Sequence, residues 1–391
     1  MSSKKIAFCH DWIYHIGGAE GVFFDLIRKY DKSENFSNIY TLFSDSESID
    51  VDGKSYHIYT ALPTWICKIF VYFASHRIMV LSQIFDYRNL MFWYPFLIWV
   101  LSRKINNFGS DEVVISNSAC IKNIYISNNL TKKILYLHSP LMYIRNHYDD
   151  NVAKLWFGIR QFYQFAAWYL RPWDLKSRHY DEIFANSKYT AKLCHDIYGY
   201  GNMKVIYPKI SLVESQKYLE SDFLDILSVS DELSTRPYYI YIGRLVRFSK
   251  DLDTIIYMFN DLWYELHIVW SGPDEQYLKS IANDNIKFLW YIWDKELKKK
   301  ELSGALGLIN LTMESFGIIT VEAMMCWLPV FGYNKWWSVE LVDHKSGILV
   351  DNKTIDNLKT QFEIFAKTKR DRQYIYDKAN KLAVNIDKDW K

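Results

Sequence analysis

In the last third of this chain, Glu314 and Glu322 bracket the segment ESFGIITVE. The first glutamate falls in a loop after an apolar run, Phe316 and Gly317 open a helix, and the second glutamate lies more than a turn into it. A helix N-terminus presents unpaired N–H groups and a partial positive charge, which suits phosphate oxygens. Gly317 allows a ligand to approach the backbone closely. The two carboxylates can reach different parts of a ligand lying across that end and accept hydrogen bonds from its hydroxyls. A sugar nucleotide carries hydroxyls on both sides of its diphosphate, so the segment suits one. Either glutamate alone would serve equally well on a capped, solvated helix.

Strands and helices must hold this segment in place. YYIYIGRLV is a buried strand followed by a helix from about Asp251, and YELHIVW, IKFLWYI, ALGLINLT and LPVFGYN are further strands with helices between. In the first half, KKIAFCHDW is a strand leading into IGGAEGVFFDLIRKY. There Gly17 and Gly18 make a tight turn, and Val22, Phe23, Leu26 and Ile27 repeat at helical spacing. DEVVISNS, KKILYLHSP and DEIFANS are runs of Val, Ile, Leu or Phe ending in residues that can cap a helix. This alternation predicts an α/β chain of two Rossmann-like, doubly wound domains. Each has a parallel sheet covered on both faces, and ligand sits in a cleft at the carboxyl ends of the strands. The boundaries read as a first domain over 1–207, a linker over 208–236, a second domain over 237–375 and a C-terminal helix or tail over 376–391. No metal-binding DxD stands at a strand end: DLD (Asp251–Asp253) falls at a helix start and reads as a cap.

Composition narrows the function. A length of 391 residues suits two domains, and a formal net charge of +2 argues against a protein that binds nucleic acid by neutralising many phosphates. The basic run KELKKKEL (Lys295–Leu302) alternates with glutamate and reads as a solvated helix face. Five scattered cysteines without a CxxC pair fit a reducing compartment and speak against zinc or disulfides. MSSKKIAFCHDW contains no signal-peptide core, so a cytoplasmic location is expected. LMFWYPFLIWVL (Leu90–Leu101) is interrupted by Pro95 and falls short of the roughly 20 residues needed to span a bilayer. With WICKIFVYF upstream, the region 62–105 is either core or an in-plane, aromatic contact with a membrane surface.

Taken in order, HDWIYHIGGAE, LHSPLMYI, IFANS, YIGRLVRFSKDLD, SGPDE, the two-glutamate segment and GYNK resemble the retaining glycosyltransferases of family 4, with the fold called GT-B. The resemblance covers nearly the whole chain. It implies transfer of a hexose from a nucleotide sugar to a glycan or lipid-linked acceptor, with retention of anomeric configuration and without a metal or other cofactor. Arg244 and Lys250 match the basic pair on the donor diphosphate. Cations fixed there stabilise the charge that develops as the leaving group departs. Glu314 looks like the residue holding hydroxyls of the transferred sugar, Glu322 like the ribose ligand, and Phe316, Gly317 and Ile318 like backbone donors to phosphate. Tyr291 looks like the residue at the nucleobase. In the first domain Gly17 and Gly18 match the loop facing the diphosphate and acceptor, His138 the histidine lining the reaction centre, and Asp11 a residue orienting the acceptor. The HDW…GGAE opening most resembles members that use GDP-mannose to build cell-surface polysaccharides such as lipopolysaccharide. The rival readings are a nucleotide-dependent epimerase or dehydrogenase, against which the missing GxGxxG counts, and a catalytically dead nucleotide-binding module.

Seven of the fifteen tryptophans fall between Trp263 and Trp337, a window holding five glycines. Trp270, Trp290, Trp327, Trp336 and Trp337 occupy positions where similar enzymes usually carry glycine, and Trp263 and Trp293 look the same. These indoles could stack on sugars or fill a core, although a turn built for no side chain would be overpacked by one. The reading we favour is that they are glycine in the natural protein. Some bacterial lineages read the codon UGA as glycine and others as tryptophan. Real tryptophans at 336 and 337 would crowd the loop that faces the donor sugar.

Overall fold

The computed structural model describes residues 3–14, 17–75, 87–145, 157–176, 178–210, 237–246, 250–272, 274–289, 295–312 and 314–390. The chain divides into two compact units, one running to Tyr207 and the other from Pro208 to Trp390. Most of the expected linker, 211–236, lies outside the described residues, as do Tyr291, Trp290 and Trp293.

The first unit is built on strands β1 (Lys5–Ile13), β2 (Phe36–Ser44), β3 (Ser48–Val51), β4 (Lys54–Thr60), β5 (Glu112–Asn117), β6 (Lys132–Leu137), β7 (Glu182–Ala185) and β8 (Lys204–Val205). They form one sheet in the order β3-β4-β2-β1-β5-β6-β7-β8, and β3 pairs antiparallel to β4 while the other pairs are parallel. Helices α1 (Gly18–Tyr30), α2 (Thr64–Ser75), α3 (Tyr94–Phe108), α4 (Phe157–Asp174) and α5 (Lys188–Tyr198) join them. Every residue of β5 is buried, as a central strand covered on both faces requires. The start of α1 is fixed by Glu20, whose side chain accepts a hydrogen bond from the Gly17 N–H at 2.9 Å. The start of α5 is fixed by Ser187, whose hydroxyl accepts from the Thr190 N–H at 3.0 Å. The apolar run Leu90–Leu101 divides at α3: Tyr94, Leu97, Ile98 and Leu101 enter the core, whereas Phe96 and Trp99 of the same helix, and Trp93 just before it, are exposed. Core and surface are therefore both present in one helix.

The second unit contains β9 (Tyr238–Ile242), β10 (Glu265–Val269), β11 (Ile286–Leu289), β12 (Leu308–Asn310), β13 (Val330–Tyr333) and β14 (Gly347–Val350). The order β11-β10-β9-β12-β13-β14, parallel throughout, is that of a doubly wound dinucleotide fold. The helices are α6 (Leu252–Asn260), α7 (Glu275–Ser280), α8 (Lys295–Ser303), α9 (Ile318–Met325), α10 (Ser338–Leu341), α11 (Ile355–Lys367) and α12 (Arg372–Trp390). Helix α12 runs unbroken through the boundary expected at 375/376, so the C-terminal helix starts earlier, at Arg372.

Two local expectations are corrected. Asp251 stands before α6 at φ +48° but caps nothing with its side chain, which instead binds the Lys353 ammonium at 2.5 Å. Helix α8, read as a solvated basic face, turns Lys298 and Lys299 inward, and Lys299 is buried.

Among the described residues six non-glycine positions have positive φ, including Trp270 (+145°), Trp327 (+57°) and Trp336 (+72°). Trp327 follows the last residue of α9 by two positions, where a left-handed glycine commonly closes a helix. Its ring stacks on Tyr376 with centroids 4.5 Å apart.

Candidate active site

The second unit changes winding direction between β9 and β12, and ligands of such sheets bind outside the carboxyl ends of the strands at that point. Arg244 follows the end of β9 by two residues, and Glu314 follows β12 by four. The Lys250 ammonium donates to Glu314 Oε1 in a direct, half-buried ion pair. Helix α9 begins four residues beyond Glu314, with Gly317 at its N-cap at φ +77° and no side chain capping its amides. Asn310 Nδ2 donates to Thr320 Oγ1 at 3.1 Å, which ties this helix start to the end of β12. Nearby, Lys353 donates to the Leu311 carbonyl at 2.8 Å and sits 3.8 Å from the Tyr333 ring centroid. The buried Tyr241 hydroxyl is held well above its ordinary pKa, first by burial and then by the charges of Glu314 and Asp251. It therefore stays a neutral phenol.

Glu322 lies on α9 and pairs with a different cation. It is 3% exposed, and both its oxygens accept from Lys298 Nζ at 2.9 Å. Lys250 with Glu314 and Lys298 with Glu322 thus make two separate ion pairs, one before α9 and one within it. The Lys298 pairing went unread because KELKKKEL carries no pattern marking one lysine as inward. Phe316 is buried, and Ile318 is the first residue of the helix. Over Gly317 stands the Trp337 indole: a Cβ added to Gly317 would meet its ring carbons at 2.4–2.6 Å. Trp337 is fully buried, and its Nε1 has no hydrogen-bond partner among the described residues.

In the first unit the change of winding falls between β1 and β5. Four residues converge there on one buried chain of contacts. His138, just past β6, pairs through Nε2 with the Ser116 hydroxyl at 2.8 Å. His10 Nδ1 lies 3.1 Å from the same hydroxyl and 2.9 Å from the Ser116 carbonyl. His10 Nε2 is 3.9 Å from Glu20, the residue that also holds the Gly17 amide. Gly18 is the first residue of α1. Burial, then the neighbouring His10, holds His138 well below its ordinary pKa, so its imidazole is neutral. His10, Ser116 and Glu20 were not anticipated. His10 adjoins Asp11 in the HDW segment, but nothing in its spacing points to Ser116, more than a hundred residues away.

Asp11 does not have the role expected of it. It is fully buried, and its carboxylate accepts from four successive amides. These are Ser118 and Ala119 at Oδ2 (2.6 and 2.9 Å) and Cys120 and Ile121 at Oδ1 (2.8 and 2.9 Å). No lone pair is left for an acceptor hydroxyl, and Asp11 serves instead to pin the loop after β5. Among the described residues no group of three His, Cys, Asp or Glu could hold a metal, and no helix is long and apolar enough to cross a membrane.

Two doubly wound units and the charged groups at the second unit's switch point belong to a glycosyltransferase with the GT-B fold. Residues 225–382 match the family of glycosyl transferases group 1. Along its length it is 24% identical to the alpha-1,3/1,6-mannosyltransferase ALG2 of Debaryomyces hansenii, over 97% of this chain and 85% of that protein. Among solved structures it superposes on WaaG, a glycosyltransferase involved in lipopolysaccharide biosynthesis. The TM-score is 0.65 at 12% identity, covering 97% of this chain and 95% of that one. It also superposes on Anabaena Alr3699/HepE in complex with UDP and glucose, with a TM-score of 0.59 at 15% identity, covering 98% and 95%.

Proposed function

We propose that this glycosyltransferase moves a hexose from a nucleotide sugar to a glycan or lipid-linked acceptor of a cell-surface polysaccharide. It retains the anomeric configuration, needs no metal, and works in the cytoplasm, peripherally at a membrane face. The observation that carries the reading is the Lys250–Glu314 contact beside the uncapped start of α9. An ammonium suits the departing diphosphate, a carboxylate suits sugar hydroxyls, and the helix amides suit phosphate oxygens. The mannosyltransferase relative supports mannose, and GDP-mannose is the first donor to test. The test is release of nucleoside diphosphate from GDP-mannose and UDP-hexoses with and without a lipid-linked glycan, with the product anomer read by NMR and a chelator added in parallel. Release that ignores the acceptor, or an oxidised or epimerised sugar, would remove the reading.

We infer as well that Trp270, Trp327, Trp336 and Trp337 are glycine in the natural protein, encoded by UGA, and that Trp263, Trp290 and Trp293 share this origin. Backbone angles support it at three of them, since φ of +145°, +57° and +72° are ordinary for glycine and strained for an indole-bearing residue. At the fourth, glycine would remove the ring now standing over Gly317 and leave the start of α9 open to a ligand. The coding DNA decides it: UGG codons at these positions refute the inference.

A further inference from the structure

Lys353 stands three residues past β14, on the loop that leads into α11. Its ammonium donates to the Asp251 carboxylate and, at 2.8 Å, to the Leu311 carbonyl, and it lies 3.8 Å from the Tyr333 ring centroid. One side chain therefore joins the start of α6, the end of β12 and the end of β13. The two groups that carry the proposed site are close chain neighbours of those it grips. Lys250 immediately precedes Asp251, and Glu314 follows Leu311 by three residues.

The grip is anchored at its own root. Asn334 Nδ2 donates to Asp351 Oδ1 at 2.8 Å, and the Asn352 side chain accepts from the Thr354 amide at 2.9 Å. A lysine on a loop held in this way can hold others in turn. The Lys353 and Asp251 side chains are only 18% and 12% exposed, so solvent screens their attraction little. Asp251 needs that support. Its backbone is at φ +48°, a left-handed conformation that residues other than glycine hold only when their surroundings impose it. The direction in which the chain delivers Lys250 depends on that conformation. Charge gives a second reason. The Tyr241 phenol feels the charges of both Glu314 and Asp251, so Asp251 lies close to the same site. Left without its cation, the Asp251 carboxylate would repel a diphosphate there and compete with Glu314 for the Lys250 ammonium.

We propose that Lys353 is a positioning residue for the donor. By gripping Asp251 and the Leu311 carbonyl together, it sets Lys250 against the diphosphate and Glu314 against the sugar, acting through them rather than on the ligand. The inference deepens the nucleotide-sugar reading proposed above and rests on it.

The test is calorimetric binding of GDP and of UDP to the full chain, both as it stands and with Trp337→Gly, which clears the ring over Gly317. Lys353→Met should weaken nucleotide binding by about ten-fold, inside the range for neighbours coupled in one ion-pair network. Lys353→Arg should restore most of it. In a Lys250→Met background the same change should cost less than about two-fold, since the residue through which it acts is gone. In the transfer assay Lys353→Met should lower kcat and raise the donor KM while the acceptor KM stays as it was. Lys359→Met is the control. It removes another lysine pair between α11 and the end of α6, with Asp261 at 2.7 Å, and should leave binding unchanged. Urea midpoints guard against misfolding, and Lys353→Gln, which keeps a hydrogen bond for the Leu311 carbonyl, serves if the methionine variant does not fold. A loss that persists undiminished in the Lys250→Met background makes Lys353 a structural residue only and overturns the proposal. So does full binding by Lys353→Met where Lys250→Met is weakened, and in that case the nucleotide-sugar reading stands. Failure of both nucleotides to bind, or equal binding by the parent and Lys250→Met, removes that reading, and the positioning role falls with it.

Discussion

Replacing Trp270 and Trp336 together by glycine sets two effects of opposite sign against each other. Truncating a buried tryptophan in an ordinary core costs about 3–5 kcal/mol. At these two positions the indoles are only half-buried, and the backbone is at φ +145° and +72°. Holding a side-chain-bearing residue in such regions costs about 1–3 kcal/mol per site. Glycine returns about 0.5–1 kcal/mol of that through its greater freedom in the unfolded chain. Strain relief at the two sites less the glycine entropy amounts to about 1–4 kcal/mol, which offsets the burial lost by two half-buried indoles, so the pair is expected to stay within about 1 kcal/mol of the parent. Urea unfolding monitored by circular dichroism measures it, with Trp173→Gly as the reference, since Trp173 packs against the first unit's core inside α4. The reference variant should lose stability. If the double variant falls with it by a similar amount, the tryptophans are at home in those turns and the strain argument is wrong.

Two further outcomes follow from the buried charges. Lys298→Met leaves the Glu322 carboxylate buried without its cation and should cost about 3–5 kcal/mol, with Lys298→Met/Glu322→Leu recovering much of it. A loss no larger than that of Lys300→Met would show that the pair is not structural. His138, neutral when folded, takes up a proton in the unfolded chain near its ordinary value of about 6.5. Its depressed pKa therefore contributes stability that is present above that value and lost as pH falls below it. The urea midpoint should drop between about pH 7.5 and about pH 5.5, and His138→Gln should flatten the slope. An unchanged slope would remove the role assigned to burial.

Strands such as β5, β6, β9 and β10 were legible because a strand buried on both faces must be a continuous apolar run. β2 was not: FSNIYTLFS spends four of its nine positions on Ser, Thr and Asn, yet eight of the nine are buried, because Ser37, Thr41 and Ser44 find hydrogen-bond partners inside. A sequence does not reveal where a hydroxyl will find an acceptor. The same limit hid Ser116 between the two histidines and Lys298 beneath α9. Glu314 could be read because it stands just before a helix start, where position along the chain nearly fixes position in space, whereas Lys250 was marked only by the resemblance of YIGRLVRFSKDLD to the family. The aromatic stretch of α3 was readable as amphipathic in composition but not in direction, since core and outward rings differ there only by angle around the helix axis.

Asp11 carries one last consequence. A chain with two doubly wound sheets has two switch points that could, in principle, each grip a phosphate. At the first, the amides of Ser118 through Ile121 already hold an anion, and that anion is covalently part of the protein. Nothing negative from outside can compete for them. On the nucleotide-sugar reading proposed above, a phosphate would turn instead to amides such as those at the start of α9, which no side chain caps.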